Sequence, residues 1–155
     1  MSEPLQRITI IVSKGSFESI YPGLILANGA RMEGIEANLF FTFFGLDAIH
    51  KTRSAHLRMA TVGNPSLPIP TLLGALPGVS ALATHQLEKR MHALDFPLVP
   101  EFIQLLVDSG ARLYACKASM DLFGMTREDF IDDIAGIATV GQCYELASGG
   151  QILFL

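Results

Sequence analysis

The chain has 155 residues, half of them apolar and 17% charged, with a net charge of −4. That length suits one domain around a single core, and the acidic balance without a basic run argues against a nucleic-acid binder. Two cysteines are too few for a disulfide framework; with no signal peptide read at the start, free thiols in a reducing cytoplasm are expected.

Arg7-Ile-Thr-Ile-Ile-Val12 is short, β-branched and nearly all apolar, the pattern of a central parallel strand covered on both faces. Ser13-Lys14-Gly15-Ser16 breaks the run. Phe17, Ile20, Tyr21, Leu24 and Ala27 then recur at helical spacing to about Met32, with Gly34 as the stop. Pro22 lies inside this stretch, so the regular helix is expected to begin there, after a looser turn. A second strand is read over 36–43, ending in Phe40, Phe41, Phe43 and Phe44, and Gly45 opens a short helix toward Lys51.

The middle of the chain is the least regular. The apolar segment 65–83 is broken by Pro65, Pro68, Pro70, Gly74, Pro77 and Gly78, so it cannot form the continuous helix that a membrane span needs. It reads as a loop with short helical turns, buried against another subunit or over a site. A helix is expected at about 81–94, and a second from Pro100 with Gly110 as its stop.

Arg112-Leu-Tyr-Ala-Cys116 is the third clear strand. One or two helical turns follow at 119–123, closed by Gly124, and Thr126 to Asp129 has the form of a helix-capping start. A brief strand at about 135–138, a helix over 140–147 and a last strand at 151–155 complete the chain. Strands alternating with helices predict an α/β fold of three α/β/α layers with about five mostly parallel strands. No internal repeat or linker interrupts residues 1–155, which read as one domain.

In such sheets, sites gather at the carboxyl ends of the strands. The rule nominates 13–16, 42–45, 115–119 and the loop after Ala138. Cys116 stands at such an end, just before a helical turn whose N–H groups would favour a thiolate, with Lys117 adding charge. The plainer alternative is a small buried hydrophobe. Cys143 falls in mid-helix, either as a core thiol or as a resolving cysteine that pairs with Cys116. His85, Glu88 and His92 share one helix face but are too stretched for a metal site without another segment. They read better as a solvated face, as do the acidic residues of 128–133. No phosphate-binding glycine motif of the P-loop or dinucleotide type is present, and no cofactor is expected. Ser13, Lys14 and Gly15 could form an anion-binding nest or a plain turn.

Four stretches together resemble the DsrE/DsrF-like sulfur-carrier family, and most nearly its longer single-chain branch, sometimes labelled peroxiredoxin-like. They are Ile10-Ile-Val-Ser-Lys-Gly-Ser16, Phe40-Phe-Thr-Phe-Phe-Gly45, Pro68-Ile-Pro-Thr-Leu-Leu-Gly-Ala-Leu-Pro-Gly78 and Tyr114-Ala-Cys-Lys-Ala-Ser-Met-Asp-Leu-Phe-Gly-Met125. The peroxidatic Thr-Pro-Cys arrangement is missing. The resemblance implies a sulfurtransferase or sulfur carrier that holds sulfane sulfur or thiosulfate on Cys116 and passes it to a partner thiol. It also implies a homo-oligomer, and TusA-like or rhodanese-like proteins as partners. Ser13, Lys14, Gly15, Lys117 and Ser119 are then the expected substrate-binding residues. Two rivals stay open: a non-catalytic homo-oligomeric binding module, and a dithiol redox protein using both cysteines.

Overall fold

The computed structural model describes residues 3–155. Five strands form one sheet in the order β4-β3-β2-β1-β5: β1 (Arg7–Val12), β2 (Glu36–Phe41), β3 (Arg112–Cys116), β4 (Gly136–Ala138) and β5 (Gln151–Phe154). Every neighbouring pair is parallel. The expected α/β sheet is therefore present, and it is parallel throughout.

Side-chain alternation divides the sheet into two unequal faces. Ile8, Ile10 and Val12 of β1, with Ala37, Leu39 and Phe41 of β2 and Leu113 and Ala115 of β3, form the dry face. Helices α1 (Phe17–Met32) and α4 (Val99–Asp108) cover it. Each of the large side chains here that is lost entirely from water, such as Phe41, Ile10 and Leu39, contributes about 1.5–3 kcal/mol of burial. The opposite face presents Arg7, Thr9, Asn38, Phe40, Arg112, Tyr114, Cys116 and Ala138, and α6 (Val140–Ala147) lies across it. Asn38 Nδ2 donates to the Leu146 carbonyl of α6 at 3.3 Å, tying that helix to the second strand.

The first helix begins at Phe17, with Pro22 inside it. Pro22 removes one backbone donor, but Phe17, Ile20, Tyr21, Leu24 and Ala27 all bury on the dry face, and tertiary packing outweighs the local penalty. The second strand stops at Phe41, two residues short of the span read from sequence. Phe43 already starts a 3₁₀ turn running to Ile49 with a left-handed φ of 51°. The capping start at Thr126 leads to a single 3₁₀ turn, Arg127–Asp129, in which the Thr126 N–H donates to Asp129 Oδ2 at 2.7 Å. It does not grow into a helix.

Between β2 and α4 lie α2 (Thr71–Gly74) and α3 (Val79–Ala93). The segment 65–83, expected to be a loop with short helical turns, holds a single such turn, α2, before α3 begins; Leu72, Leu73 and Leu76, and Leu82 on α3, are exposed. Among the described residues no helix is long and apolar enough to cross a membrane.

Candidate functional site

The carboxyl ends of the first two strands are locked together by backbone contact. A Cβ on Gly45 would lie 2.0 Å from the Val12 carbonyl oxygen, and one on Gly15 would lie 2.5 Å from that of Phe44. Only glycine lets the loops after β1 and β2 approach this closely. The Thr42 N–H also donates to the Val12 carbonyl at 3.0 Å. The loop after β2 is thereby held over the end of β3, where Cys116 sits.

Helix α5 (Lys117–Phe123) follows Cys116 without a linker, so the cysteine itself is the N-cap. The helix starts two residues earlier than sequence spacing suggested, which turns the N–H groups of Ala118 and Ser119 toward the sulfur. Ser119 is buried, and its Oγ accepts from the Phe43 N–H at 2.8 Å and lies 3.0 Å from Thr42 Oγ1. The single Ser119 hydroxyl proton has two acceptors within reach, Thr42 Oγ1 and the Cys116 sulfur; when Thr42 donates to Ser119, the Ser119 proton points at the thiol.

Cys116 is only 3% exposed. Burial pushes its thiol up, but the hydroxyls of Ser119 and Thr42 and the N–H groups of Ser119 and Ala118 act against it and hold it below the ordinary cysteine value. Hydrogen bonds that stabilise the anion here outweigh desolvation.

Lys117 does not take part in that balance. Its Nζ pairs with Asp121 on the exposed side of α5. The charge expected beside the thiol is thus spent one turn along the same helix, because a residue directly following the N-cap faces away from it. Ser13, Lys14 and Gly15 form a separate edge. They line an open cavity of about 490 Å³ with Ser16, Phe44 and Asp47, and Cys116 is not in its wall. The Ser13 hydroxyl donates to the Leu155 carbonyl at 2.7 Å. Of the residues nominated from sequence, Cys116 and Ser119 come together; Ser13, Lys14 and Gly15 adjoin each other through the loop that touches Phe44.

Thr42 is the residue that sequence reasoning did not single out. The strand-end rule had nominated 42–45, but nothing local marks which member faces β3. Phe43 packs edge-on against Phe44 and Phe123 at centroid distances of 4.8 and 5.3 Å, Phe44 and Phe123 are tilted at 5.5 Å, and all three remain partly exposed, forming an aromatic rim beside Ser119. No group of three or more His, Cys, Asp or Glu side chains is gathered for a metal among the described residues.

Fold and site together define a class: an open, fully parallel α/β protein with one thiol set among hydrogen-bond donors at the carboxyl end of an inner strand. Within it, this chain belongs to the DsrE/DsrF/DrsH-like family, whose sequence profile matches residues 5–155. It is 33% identical over 137 residues to the sulfur carrier protein DsrE2 of Allochromatium vinosum, covering 83% of this chain and 85% of that protein. It is also 27% identical over 150 residues to the uncharacterized protein YrkE of Bacillus subtilis, covering 89% of this chain and 91% of the other. Two solved structures share the fold. One is a protein of unknown function, MTH1491, from Methanobacterium thermoautotrophicum, with a TM-score of 0.55 at 12% identity, covering 97% of this chain and 99% of that one. The other is the ychN protein of E. coli, with a TM-score of 0.54 at 14% identity, covering 97% and 100%.

Proposed function

We propose that this protein is a sulfur carrier or sulfurtransferase acting through Cys116, as one domain over residues 1–155. The observation that carries the reading is the pairing of a depressed thiol with a donor cage of Ser119, Thr42 and the first N–H groups of α5. Membership of the family and the sulfur-carrier relative support it.

The Cys116 thiolate attacks a sulfane sulfur and displaces the remainder of the donor: sulfite from thiosulfate, or a shorter chain from a polysulfide. The product is a Cys116 persulfide; with tetrathionate as donor the thiolate displaces thiosulfate and Cys116 is left carrying the other thiosulfate group through a sulfur–sulfur bond. A partner thiolate, on a TusA-like or rhodanese-like protein, then attacks the outer sulfur, and Cys116 departs as the thiolate. The donors that lower the thiol also make it a good leaving group. Ser119 holds the sulfur, and Ser13, Lys14 and Gly15 offer an anion-holding edge. Lys117 would join them only by releasing Asp121. A cytoplasmic, reducing setting fits two free thiols.

Intact mass after incubation with thiosulfate, tetrathionate or polysulfide tests the reading. Wild type gains the mass of bound sulfur and Cys116→Ser does not; equal gain in both would refute it.

A homo-oligomer belongs to the same proposal. Leu72, Leu73, Leu76 and Leu82 lie exposed within or beside the broken apolar segment, and such a concentration of leucine on a surface marks a contact. Light scattering should report more than one subunit at micromolar concentration, with this segment protected from protease. A monomer readily cut at 65–76 would contradict it.

A further inference from the structure

Cys143 takes no part in the carrier step, yet the fold brings it to Cys116. Ala138, the last residue of β4, is the register partner of Cys116 on β3. The chain then turns at Thr139, whose side chain accepts from the Gln142 N–H at 3.2 Å while Gln142 Oε1 accepts from the Thr139 N–H at 2.8 Å. That capping box fixes the first turn of α6, and the Cys143 N–H closes onto the Thr139 carbonyl at 2.9 Å. The helix therefore returns across the sheet face that carries Cys116. Both thiols are buried, at 3% and 2% exposure, in one small cluster with Phe40 and Ala138, separate from the main core. Ile11, Tyr114 and Leu146 close its sides. Burial pushes the Cys143 thiol up, and negative charge on Cys116 raises it further.

We propose that Cys143 is the resolving thiol of this site: it attacks the Sγ of a persulfidated Cys116, forms a Cys116–Cys143 disulfide, and expels the outer sulfur as hydrosulfide. The inference rests on the persulfide reading above. One sulfur–sulfur bond forms and one breaks, and the proton of Cys143 leaves with the expelled sulfur or passes to water. The two cysteine sulfurs are oxidised to a disulfide as the sulfane sulfur is reduced to sulfide, so no outside oxidant is needed. A dithiol or low-molecular-weight thiol reductant restores the pair for another round.

The raised thiol of Cys143 makes this step slow, since the thiolate is the attacking form. A loaded Cys116 therefore waits for a partner thiol and discharges internally only when none arrives. The oxidised pair cannot reload until it is reduced. Cys143 would thus set how long the carrier stays charged.

The experiment loads wild type, Cys143→Ala and Cys143→Ser with polysulfide, removes the donor, and follows intact mass and free sulfide over time. Two replacements guard against one that disturbs packing. Wild type should lose the added sulfur, come to rest two hydrogens lighter than the reduced chain, and release one hydrosulfide per loaded chain. Both variants should keep the added sulfur through the same interval. A separate arm treats unloaded protein with a thiol oxidant and maps the product by peptide mass. It should yield an internal Cys116–Cys143 bridge, which requires the two Cα atoms to come within about 7 Å. Wild type that loads but discharges no faster than the variants would overturn the resolving role and leave the carrier reading standing. Failure of all three proteins to load would remove the carrier reading, and this inference with it.

Discussion

Cys116 and Cys143 are almost equally hidden from water, at 3% and 2% exposure, yet their thiols are displaced in opposite directions. Burial raises both. At Cys116 two hydroxyls and two backbone N–H groups overcome it; at Cys143 the side chain lies in mid-helix, where the neighbouring N–H groups are already bonded within the helix, and the charge of Cys116 adds to the penalty. The contrast teaches that exposure is a poor guide to a thiol's reactivity. The donors aimed at the sulfur decide it, and a strand end supplies them where a helix interior cannot.

The sharpest test of that contrast is removal of each sulfur in turn. Cys116→Ser should fold and lose all sulfur loading, whereas Cys143→Ser should retain it, as measured by intact mass after exposure to polysulfide. Equal loss in the two would erase the distinction and point to a dithiol mechanism.

Next in size is the pH dependence of alkylation. A depressed thiol holds more thiolate at neutral pH, so Cys116 in a Cys143→Ser background should react with iodoacetamide with a midpoint below about 8.5, the ordinary cysteine value. Cys143 in a Cys116→Ser background should stay largely unreactive until higher pH or unfolding. A midpoint for Cys116 well above 8.5, or reaction only on unfolding, would make it a core residue.

Ser119→Ala removes the hydroxyl that does most to lower the thiol. A hydrogen bond to a charged group contributes about 1.5–3 kcal/mol, so alkylation at neutral pH should slow by roughly tenfold or more. Thr42→Val should act in the same direction but less, since its hydroxyl lowers the thiol less than that of Ser119 does. Ser119→Ala also leaves the Phe43 N–H without its acceptor, a loss of about 1 kcal/mol in denaturant unfolding. If alkylation is unchanged in both variants, the hydroxyls do not set the thiol.

The smallest effect should come from Lys117→Ala. An exposed ion pair of this kind is worth about 0–1 kcal/mol, and the lysine is turned to Asp121. Sulfur loading and the alkylation midpoint should both stay near wild type. A clear rise in the midpoint would mean that Lys117 leaves Asp121 and that charge, not hydroxyl donors, activates the sulfur.

The local elements, and the place of Cys116 at a strand end, were legible in the sequence. The run from Arg7 to Val12 announces a buried strand, Arg112 to Cys116 another, and the third strand and α6 carry the bounds their patterns suggested. These features follow from side-chain periodicity and from glycine or polar stops, which act over a few residues. Even Cys116 as a strand-end thiol is a local statement. Tertiary structure decided the rest. The order β4-β3-β2-β1-β5 depends on pairing between segments up to about 140 residues apart, which no window of sequence contains. It brings Thr42 to Ser119, folds Cys143 onto the face of Cys116, and lets Pro22 persist within α1 because the packed face repays a lost hydrogen bond. Lys117 shows the same lesson on a smaller scale: one residue from the sulfur in sequence, it points elsewhere because the helix begins at once and carries its side chain around to Asp121.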